Sequence, residues 1–243
     1  MIDLHSHILP GMDDGAQNLE ESLRMADLAV RSGVTAMVAT PHCAGDRTEE
    51  VRESLAYLRA GLRSAGIPLR VYAGMEIFGS DQTAEMLRQG KLLTLAGSRY
   101  PLIEFDFESD GERETEVLQS VLQAGYVPLV AHPERYRYVR ENPELVNLWK
   151  RMGCLFQVNR GSLLGRFGPG ARVMAMELTG RGFATVVASD AHSATMRTPW
   201  MGDIWEQLSR RFAPDAAVWL LRDNPRRILK NEQIPPAEPE WFK

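Results

Sequence analysis

The chain has 243 residues, of which 28 are Lys or Arg and 32 are Asp or Glu, so its formal net charge is −4. Apolar residues make up 44% and charged residues 25%, which is typical of a globular protein and excludes a disordered or fibrous one. Since a general nucleic-acid binder carries a basic excess, this balance predicts no nucleic-acid partner. Chains of this length commonly form a single α/β barrel.

The cysteine count and the N-terminal residues indicate the compartment. Cys43 and Cys154 are too few for a disulfide framework, which favours a reducing environment. Asp3 lies where a secretory signal would carry a basic residue. No apolar run reaches the roughly 18 residues of a membrane span. We therefore expect a cytoplasmic protein without stable membrane insertion.

Short apolar runs alternate with helical patterns along most of the chain. Strands are predicted over 1–4, 35–39, 69–72, 100–105, 127–131, 155–158 and 184–188. Strands that are separated by helices pair in parallel through right-handed crossovers. About seven such strands predict a closed or nearly closed β/α barrel, with an open doubly wound sheet as the alternative.

The helices between these strands have recognisable ends and apolar faces. Asn18 followed by Glu21 is a capping-box pattern, and Gly33 follows the end of the same helix. The predicted apolar stripes are Leu19, Leu23, Ala26 and Val30, then Val51, Leu55, Leu58 and Leu62, then Val117, Val121 and Ala124. No linker interrupts the pattern, so we expect one domain over 1–233 and a proline-rich tail over 234–243.

All five histidines follow predicted strands. His5 and His7 come after the first strand, His42 after the second, His132 after the fifth and His192 after the seventh. In parallel α/β folds, ligands bind at the carboxyl ends of the strands. Scattered surface histidines would not select that one face, so the pattern indicates a site.

Acidic residues occupy the same face of the predicted barrel. They are Glu76, Glu104 and Asp190, with Asp13 and Asp14 in the loop after the first strand. Because residues i and i+2 of a strand point to the same side, His5 and His7 can reach one metal together. Carboxylates gathered at a barrel mouth need cations. Imidazole and carboxylate ligands without thiolate suit two or three ions such as Mn, Fe or Zn.

Seven motifs that occur in order carry a family resemblance. They are Met1-Ile2-Asp3-Leu4-His5-Ser6-His7, Asp13-Asp14-Gly15, Thr40-Pro41-His42, Gly74-Met75-Glu76-Ile77, Leu102-Ile103-Glu104-Phe105, Ala131-His132-Pro133-Glu134-Arg135-Tyr136 and Ser189-Asp190-Ala191-His192. With them the chain resembles the PHP (polymerase and histidinol phosphatase) superfamily. Within it, the chain is similar to the bacterial manganese-dependent tyrosine phosphatases of capsule and exopolysaccharide operons.

The resemblance implies a distorted, TIM-like PHP barrel of a single domain with a trinuclear metal centre. By this match, one metal is held by His5, His7, Glu76 and Asp190; a second by Glu76, Glu104 and His132; and a third by Asp14, His42 and His192. Asp13 stays an alternative to Asp14, because both lie in a loop whose geometry the sequence does not give.

The expected chemistry is hydrolysis of a phosphate ester by metal-activated hydroxide. Adjacent divalent ions lower the pKa of water and neutralise phosphate oxygens. Arg135 and Arg197 lie just beyond His132 and His192, and the resemblance assigns them, as catalytic residues, to the substrate phosphate. The resemblance further implies that the substrate is a phosphotyrosine protein, the tyrosine-rich tail of a bacterial tyrosine kinase of polysaccharide export.

Other functions fit parts of the sequence. The same metals would serve a histidinol-phosphate phosphatase or one for another small phosphomonoester, and a non-catalytic metal-binding regulatory subunit would keep the ligands without turnover. Cys154 and Arg160 have the spacing of cysteine-dependent tyrosine phosphatases. The residues between them alternate like a strand, however, whereas a phosphate-binding loop needs small, turn-forming residues. We therefore expect Cys154 to be a buried filler.

Overall fold

Parallel strands form the centre of the structure, a computed structural model that describes residues 1–213 and 215–235. The strands are β1 (Ile2–Asp3), β2 (Ala36–Ala39), β3 (His42–Cys43), β4 (Arg70–Ala73), β5 (Glu76–Phe78), β6 (Leu102–Glu104), β7 (Leu129–Ala131), β8 (Leu155–Asn159) and β9 (Val186–Ala188). A strand forms within or across each of the predicted segments. The short strands β3 and β5 are additions that the sequence did not predict.

Two parallel sheets make up the wall of the barrel. One has the order β1-β2-β4 and the other the order β3-β5-β6-β7-β8-β9. The chain passes from the first sheet to the second twice, at Thr40-Pro41 between β2 and β3 and at Gly74-Met75 between β4 and β5. A parallel bridge between Ser6 and Ala191 then joins the first and last strand positions. The strands therefore close into a distorted barrel, as predicted, and the alternative prediction of an open doubly wound sheet is wrong.

Helices follow most of the strands. They are α1 (Leu19–Arg31), α2 (Thr48–Ser64), α3 (Thr83–Arg88), α4 (Glu112–Gln123), α5 (Arg137–Glu141), α6 (Glu144–Met152), α7 (Arg160–Leu163), α8 (Gly168–Gly180), α9 (Gly202–Arg211), α10 (Ala216–Val218) and α11 (Asn224–Leu229), with a π-helical turn at Trp219–Asp223. In the part of the chain that the structure describes, no helix has both the length and the apolar character to cross a membrane.

Helix α1 begins as predicted, and its predicted apolar stripe packs against the core. The Asn18 side chain accepts a hydrogen bond from the Glu21 backbone N–H at 3.0 Å. The Glu21 carboxylate does not complete the capping box, because it accepts from the backbone N–H of Ala194 at 2.7 Å. The buried residues are Ser22, Met25, Ala26 and Ala29. Of the predicted stripe, Ala26 is buried in the core, and Leu19, Leu23 and Val30 pack against it partly buried.

Alternation along the strands separates two apolar groups of side chains. Ala36 and Val38 point into the barrel, while Met37 and Ala39 point to the helices. The inner group fills the barrel below the carboxyl ends of the strands, which leaves that end for polar side chains. Ile234, the first residue of the predicted tail, packs against the inner group. Residues 236–243 of that tail lie outside the described residues.

Candidate metal centre

The five histidines converge at the carboxyl end of the barrel, as the strand order predicts. The ring centroids of His7 and His192 are 3.9 Å apart, and those of His7 and His42 are 4.6 Å apart. The rings of His5 and His132 stack at 5.6 Å. Closure of the barrel brings His192, which follows β9, against His7, which follows β1.

Acidic side chains complete four groups in which the ligand atoms all lie within 4.8 Å of one another. The groups are His7, Asp14, His42 and His192; His5, His7 and Asp190; His5, Glu76 and His132; and His42, Glu76 and Glu104. Every residue predicted as a metal ligand belongs to at least one of them. The fold therefore brings together all the side chains that the sequence and its family resemblance predict as metal ligands.

Glu76 lies at the centre of these groups. Its Oε2 is 3.1 Å from His5 Nε2, 3.2 Å from His7 Nε2 and 3.1 Å from His42 Nδ1. Its Oε1 is 2.9 Å from His132 Nε2. A carboxylate in this position can bridge ions. The grouping differs in detail from the one the resemblance implies, since His42 also lies beside Glu76 and His7 also lies beside Asp14.

Buried opposite charges shift the pKa values of these side chains. Burial disfavours a charged His5 ring, but the carboxylates of Glu76 and Asp190 outweigh it and raise its pKa to about 9. Burial alone would raise the pKa of Glu76, yet the neighbouring imidazoles hold it well below its usual range. Because protons here compensate buried carboxylates, divalent ions can replace them in that role.

The two acids of the first loop have different roles. Asp13 Oδ2 accepts hydrogen bonds from His7 Nδ1 at 2.7 Å and from the His42 backbone N–H at 2.9 Å. Burial opposes its charge, but the His7 bond lowers the pKa of Asp13 to about 2. Asp14 Oδ1 instead faces His192 Nε2 at 3.4 Å and His42 Nε2 at 3.6 Å. This geometry favours Asp14 as the ligand and Asp13 as the group that orients His7.

The donor set fits divalent cations. The Nε2 atoms of His5 and His7 face each other at 3.3 Å. Glu76 Oε2 is buried near three imidazole nitrogens but makes no hydrogen bond of good geometry. Nitrogen and oxygen atoms directed at a common space, without thiolate, form the environment that Mn, Fe and Zn ions occupy in proteins.

Two amide side chains of β8, which the sequence did not predict as part of the site, support the centre. Gln157 Oε1 lies 2.9 Å from His5 Nδ1, and its Nε2 donates to Asn159 Oδ1 at 2.7 Å. Asn159 Nδ2 in turn donates to Asp190 Oδ2 at 2.6 Å. Polar residues two apart at the end of a buried strand were the available signal, since both point into the barrel.

Arg135 and Arg197 lie at the rim of the centre. Arg135 Nη1 is 3.4 Å from Asp190 Oδ2, and Arg197 Nη2 donates to the same oxygen. Arg197 Nη1 is also 3.1 Å from His192 Nε2. Both guanidinium groups are partly exposed, so they border the space in front of the histidines.

The cysteine and arginine with phosphatase-like spacing do not form a site. The residues between them are strand β8, as predicted, so no loop of backbone N–H groups surrounds a ligand. Cys154 precedes the strand, and burial raises the pKa of its thiol to about 12. Arg160 pairs with Asp203, with Nε 2.8 Å from Oδ1. A nucleophilic thiolate needs a lowered pKa, so this alternative is excluded.

Comparison with known proteins gives matches over the whole chain. The family model for capsular polysaccharide synthesis proteins CpsB/CapC matches residues 1–230. YwqE of Bacillus subtilis (strain 168), a tyrosine-protein phosphatase, is 34% identical over 247 residues, which cover 100% of this chain and 97% of YwqE. CapC of Staphylococcus aureus, a putative tyrosine-protein phosphatase, is 30% identical over 253 residues, which cover 100% of this chain and 99% of CapC.

A solved structure agrees with the sequence matches. It comes from work on YwqE from Bacillus subtilis and CpsB from Streptococcus pneumoniae, described as unique metal-dependent tyrosine phosphatases. It superposes on this chain with a TM-score of 0.92 and 34% identity, and the match covers 98% of both chains. This chain therefore belongs to the CpsB/CapC family of capsular polysaccharide synthesis, within the PHP superfamily.

Proposed function

We propose that this protein is a metal-dependent protein-tyrosine phosphatase. The observation that carries the proposal is the convergence of the nine expected ligands, the side chains of His5, His7, Asp14, His42, Glu76, Glu104, His132, Asp190 and His192, beside two arginines at the rim. Among relatives of the same length, YwqE and CpsB are named tyrosine-protein phosphatases. Mn²⁺ is the proposed ion, with two or three bound at once.

The residues divide the work between the ions and the substrate. Bound divalent ions supply an activated water near neutral pH and neutralise charge on the phosphate. Glu76 and Asp190 would help to hold these ions, while Asp13 and Gln157 fix the orientation of His7 and His5 through their Nδ1 atoms. Since bound ions would supply the activated water, the chain itself need not supply a nucleophile.

Arg135 and Arg197 are the proposed phosphate ligands. Both guanidinium groups reach Asp190 from the rim, so they border any phosphate ester that approaches the ions. A guanidinium binds two oxygens at once and stabilises the charge that develops on a transferring phosphoryl group. Their partial exposure leaves room for the rest of a substrate outside the barrel.

The proposed substrate is a phosphotyrosine in the tyrosine-rich tail of a bacterial tyrosine kinase of capsule or exopolysaccharide synthesis. The CpsB/CapC family assignment supports this pathway, and the partly exposed rim arginines can be reached by a side chain presented on another polypeptide. The proposal places the protein in the cytoplasm, where such a tail would be reached, with residues 1–233 as the phosphatase domain.

Parallel assays test the proposal. Protein stripped with chelator and reloaded with Mn²⁺ is given a phosphotyrosine peptide or histidinol phosphate, and phosphate release is measured. We expect activity on the peptide, loss with chelator and recovery with Mn²⁺. Preference for histidinol phosphate would assign the small-phosphomonoester alternative, and metal binding without any turnover would assign the regulatory one. Full activity in metal-free protein would contradict the mechanism.

A further inference from the structure

Phe167, the residue before α8, lies under both arginines of the rim. The guanidinium carbon of Arg135 is 4.5 Å from its ring centroid, and that of Arg197 is 5.6 Å from it. Arg135 also has the ring of Phe107 at 4.7 Å on another side. One aromatic ring therefore contacts two cations, and its attraction to each of them offsets part of the repulsion between their like charges.

The two arginines have few other partners to fix them. Both guanidinium groups direct donors at Oδ2 of Asp190, which already accepts from Asn159, and Arg197 Nη1 also lies 3.1 Å from His192 Nε2. Arg197 Nε is buried without a hydrogen bond. Attraction to the face of an aromatic ring is worth most where the cation is partly desolvated, as these cations are.

The half-buried ring packs closely against α7. A Cβ atom at Gly161 in α7 would lie 2.5 Å from Cε2 of Phe167, so the glycine leaves the space that the ring fills. Gly161 directly follows Arg160, whose side chain is anchored to Asp203. Helix α7 therefore limits the positions that the Phe167 ring can take beside the guanidinium groups.

We propose that Phe167 is a positioning residue that holds Arg135 and Arg197 at the spacing needed to bind one phosphate between them. The inference rests on the proposed function, because it assigns a phosphoryl group to the two arginines. The ring touches neither the ions nor the phosphorus. It acts through the arginines by fixing their planes before the substrate arrives, which lowers the entropy lost on binding.

Substitution of Phe167 tests this role. Phe167→Leu keeps apolar volume but removes the aromatic face, so inorganic phosphate should bind the Mn²⁺-loaded protein about tenfold more weakly, with a similar loss in kcat/KM. Phe167→Tyr keeps the face and should stay within about threefold of the wild type. Metal content and Tm should stay near wild type in both variants.

Phe183 offers a matched control. Its ring also lies under two cations, Lys150 at 4.2 Å and Arg181 at 4.8 Å, but it borders a cavity beside Cys154 at the other end of β8. Phe183→Leu should change neither phosphate affinity nor kcat/KM. Equal losses in Phe183→Leu and Phe167→Leu would mean that general destabilisation, not positioning, causes the effect.

Gly161→Ala tests the same ring by adding a methyl group that contacts it from α7. Its new Cβ should displace the ring and weaken phosphate binding, although both arginines and all ligands are unchanged. Once Phe167 is Leu, the added methyl has no ring to displace, so the two losses should not add. Phosphate binding is followed by calorimetry, which works without turnover: a wild type that binds phosphate but hydrolyses nothing refutes the proposed function alone. Unchanged phosphate affinity in Phe167→Leu would overturn the positioning role.

Discussion

Asp190 shows how one carboxylate serves two sides of the candidate centre. Its Oδ1 faces the imidazoles, 3.4 Å from His5 Nε2 and 3.5 Å from His7 Nε2. Its Oδ2 accepts from Asn159 and from both rim arginines. The backbone of Asp190 has a φ of 52°, which a non-glycine residue adopts only when its surroundings hold it there. The side chain therefore links the ion side of the centre to the phosphate side.

Replacing the arginines separates these two sides. In Arg135→Ala and Arg197→Ala, bound metal should stay near wild type, while kcat/KM falls by about 30- to 1000-fold because a charge-assisted contact to the phosphate is lost. Lysine should recover only part of the loss, since it lacks the bidentate fork. Elemental analysis and kinetics on the same preparations check this.

His42→Ala and His192→Ala are the comparison for the arginine variants. Both imidazoles face Asp14 in the candidate centre, so each substitution should lower metal content and activity together. An arginine variant that lost metal, or that kept full activity, would contradict the phosphate-binding assignment.

The buried cysteine gives a second prediction at this scale. Because burial raises the pKa of Cys154 to about 12, almost none of it is thiolate at neutral pH, and iodoacetamide should leave it unmodified in the folded protein. Cys154→Ser should change the activation barrier by less than about 1 kcal/mol. Mass spectrometry and kinetics measure both. A trapped phosphocysteine or a thousandfold loss in kcat would restore the cysteine mechanism.

At the scale of elements, the loop after β1 depends on a close backbone approach. A Cβ at Gly15 would lie 2.2 Å from the backbone oxygen of His7 and 2.4 Å from its Cβ. The same loop carries Asp13, which holds His7 and the backbone of His42, and Asp14, which faces His192. Any residue larger than glycine must therefore move this loop away from the histidines.

Gly15→Ala should accordingly reduce bound metal and activity together, even though no ligand is replaced. Gly45→Ala is the matched control, because a Cβ there meets no atom within 4 Å and should leave both quantities unchanged. Metal per chain by elemental analysis, measured beside Tm, distinguishes a displaced loop from an unfolded protein. Full metal content in Gly15→Ala would show that the loop does not depend on this contact.

The predictable elements are those with long apolar patterns. Helix α2 buries Val51, Leu55, Leu58 and Leu62 as its stripe predicts, because its face meets the barrel directly. In α1 the predicted Leu19, Leu23 and Val30 pack against the core only partly buried, while Met25 and Ala29 beside them are buried, so the stripe indicated the packed side of the helix but not its centre. Strands β3 and β5 have two and three residues, too few to show a period. They form because the chain changes sheets, which is a tertiary effect.

The residues of the candidate centre also differ in how far the sequence predicts them. Ligands at strand ends were predictable, because chain position alone places them on one face. The roles of Asp13, Gln157 and Asn159 were not, because each depends on a hydrogen bond to a residue distant in sequence or in a neighbouring loop. Composition and period do not encode such partners, so only the folded geometry distinguishes a ligand from the group that orients it.

At the scale of the whole molecule, closure of the barrel and the candidate centre share one seam. Asp3 in β1 is fully buried, and its Oδ1 accepts from the Ser189 backbone N–H at 3.0 Å while its Oδ2 accepts from the Ser189 hydroxyl at 2.5 Å. His5, two residues after Asp3, and Asp190, the residue after Ser189, then face each other. The centre therefore draws ligands from both edges of the seam.

Metal binding should consequently stabilise the entire fold. An ion that binds only the closed barrel adds stability in proportion to the logarithm of its concentration over Kd, about 4 kcal/mol at a thousandfold excess. For a chain of this size that raises Tm by about 8–16 °C relative to chelated protein.

Glu76→Gln removes the carboxylate charge at the middle of the ligands and should reduce this Mn²⁺-induced rise in Tm to less than about half, since an amide is a poorer ligand for Mn²⁺. Glu114→Gln, which replaces a buried carboxylate outside the centre, should keep the full rise in Tm. Thermal unfolding with and without Mn²⁺ measures all three proteins, and a Tm that is the same with and without the ion would show that the centre does not hold the barrel closed.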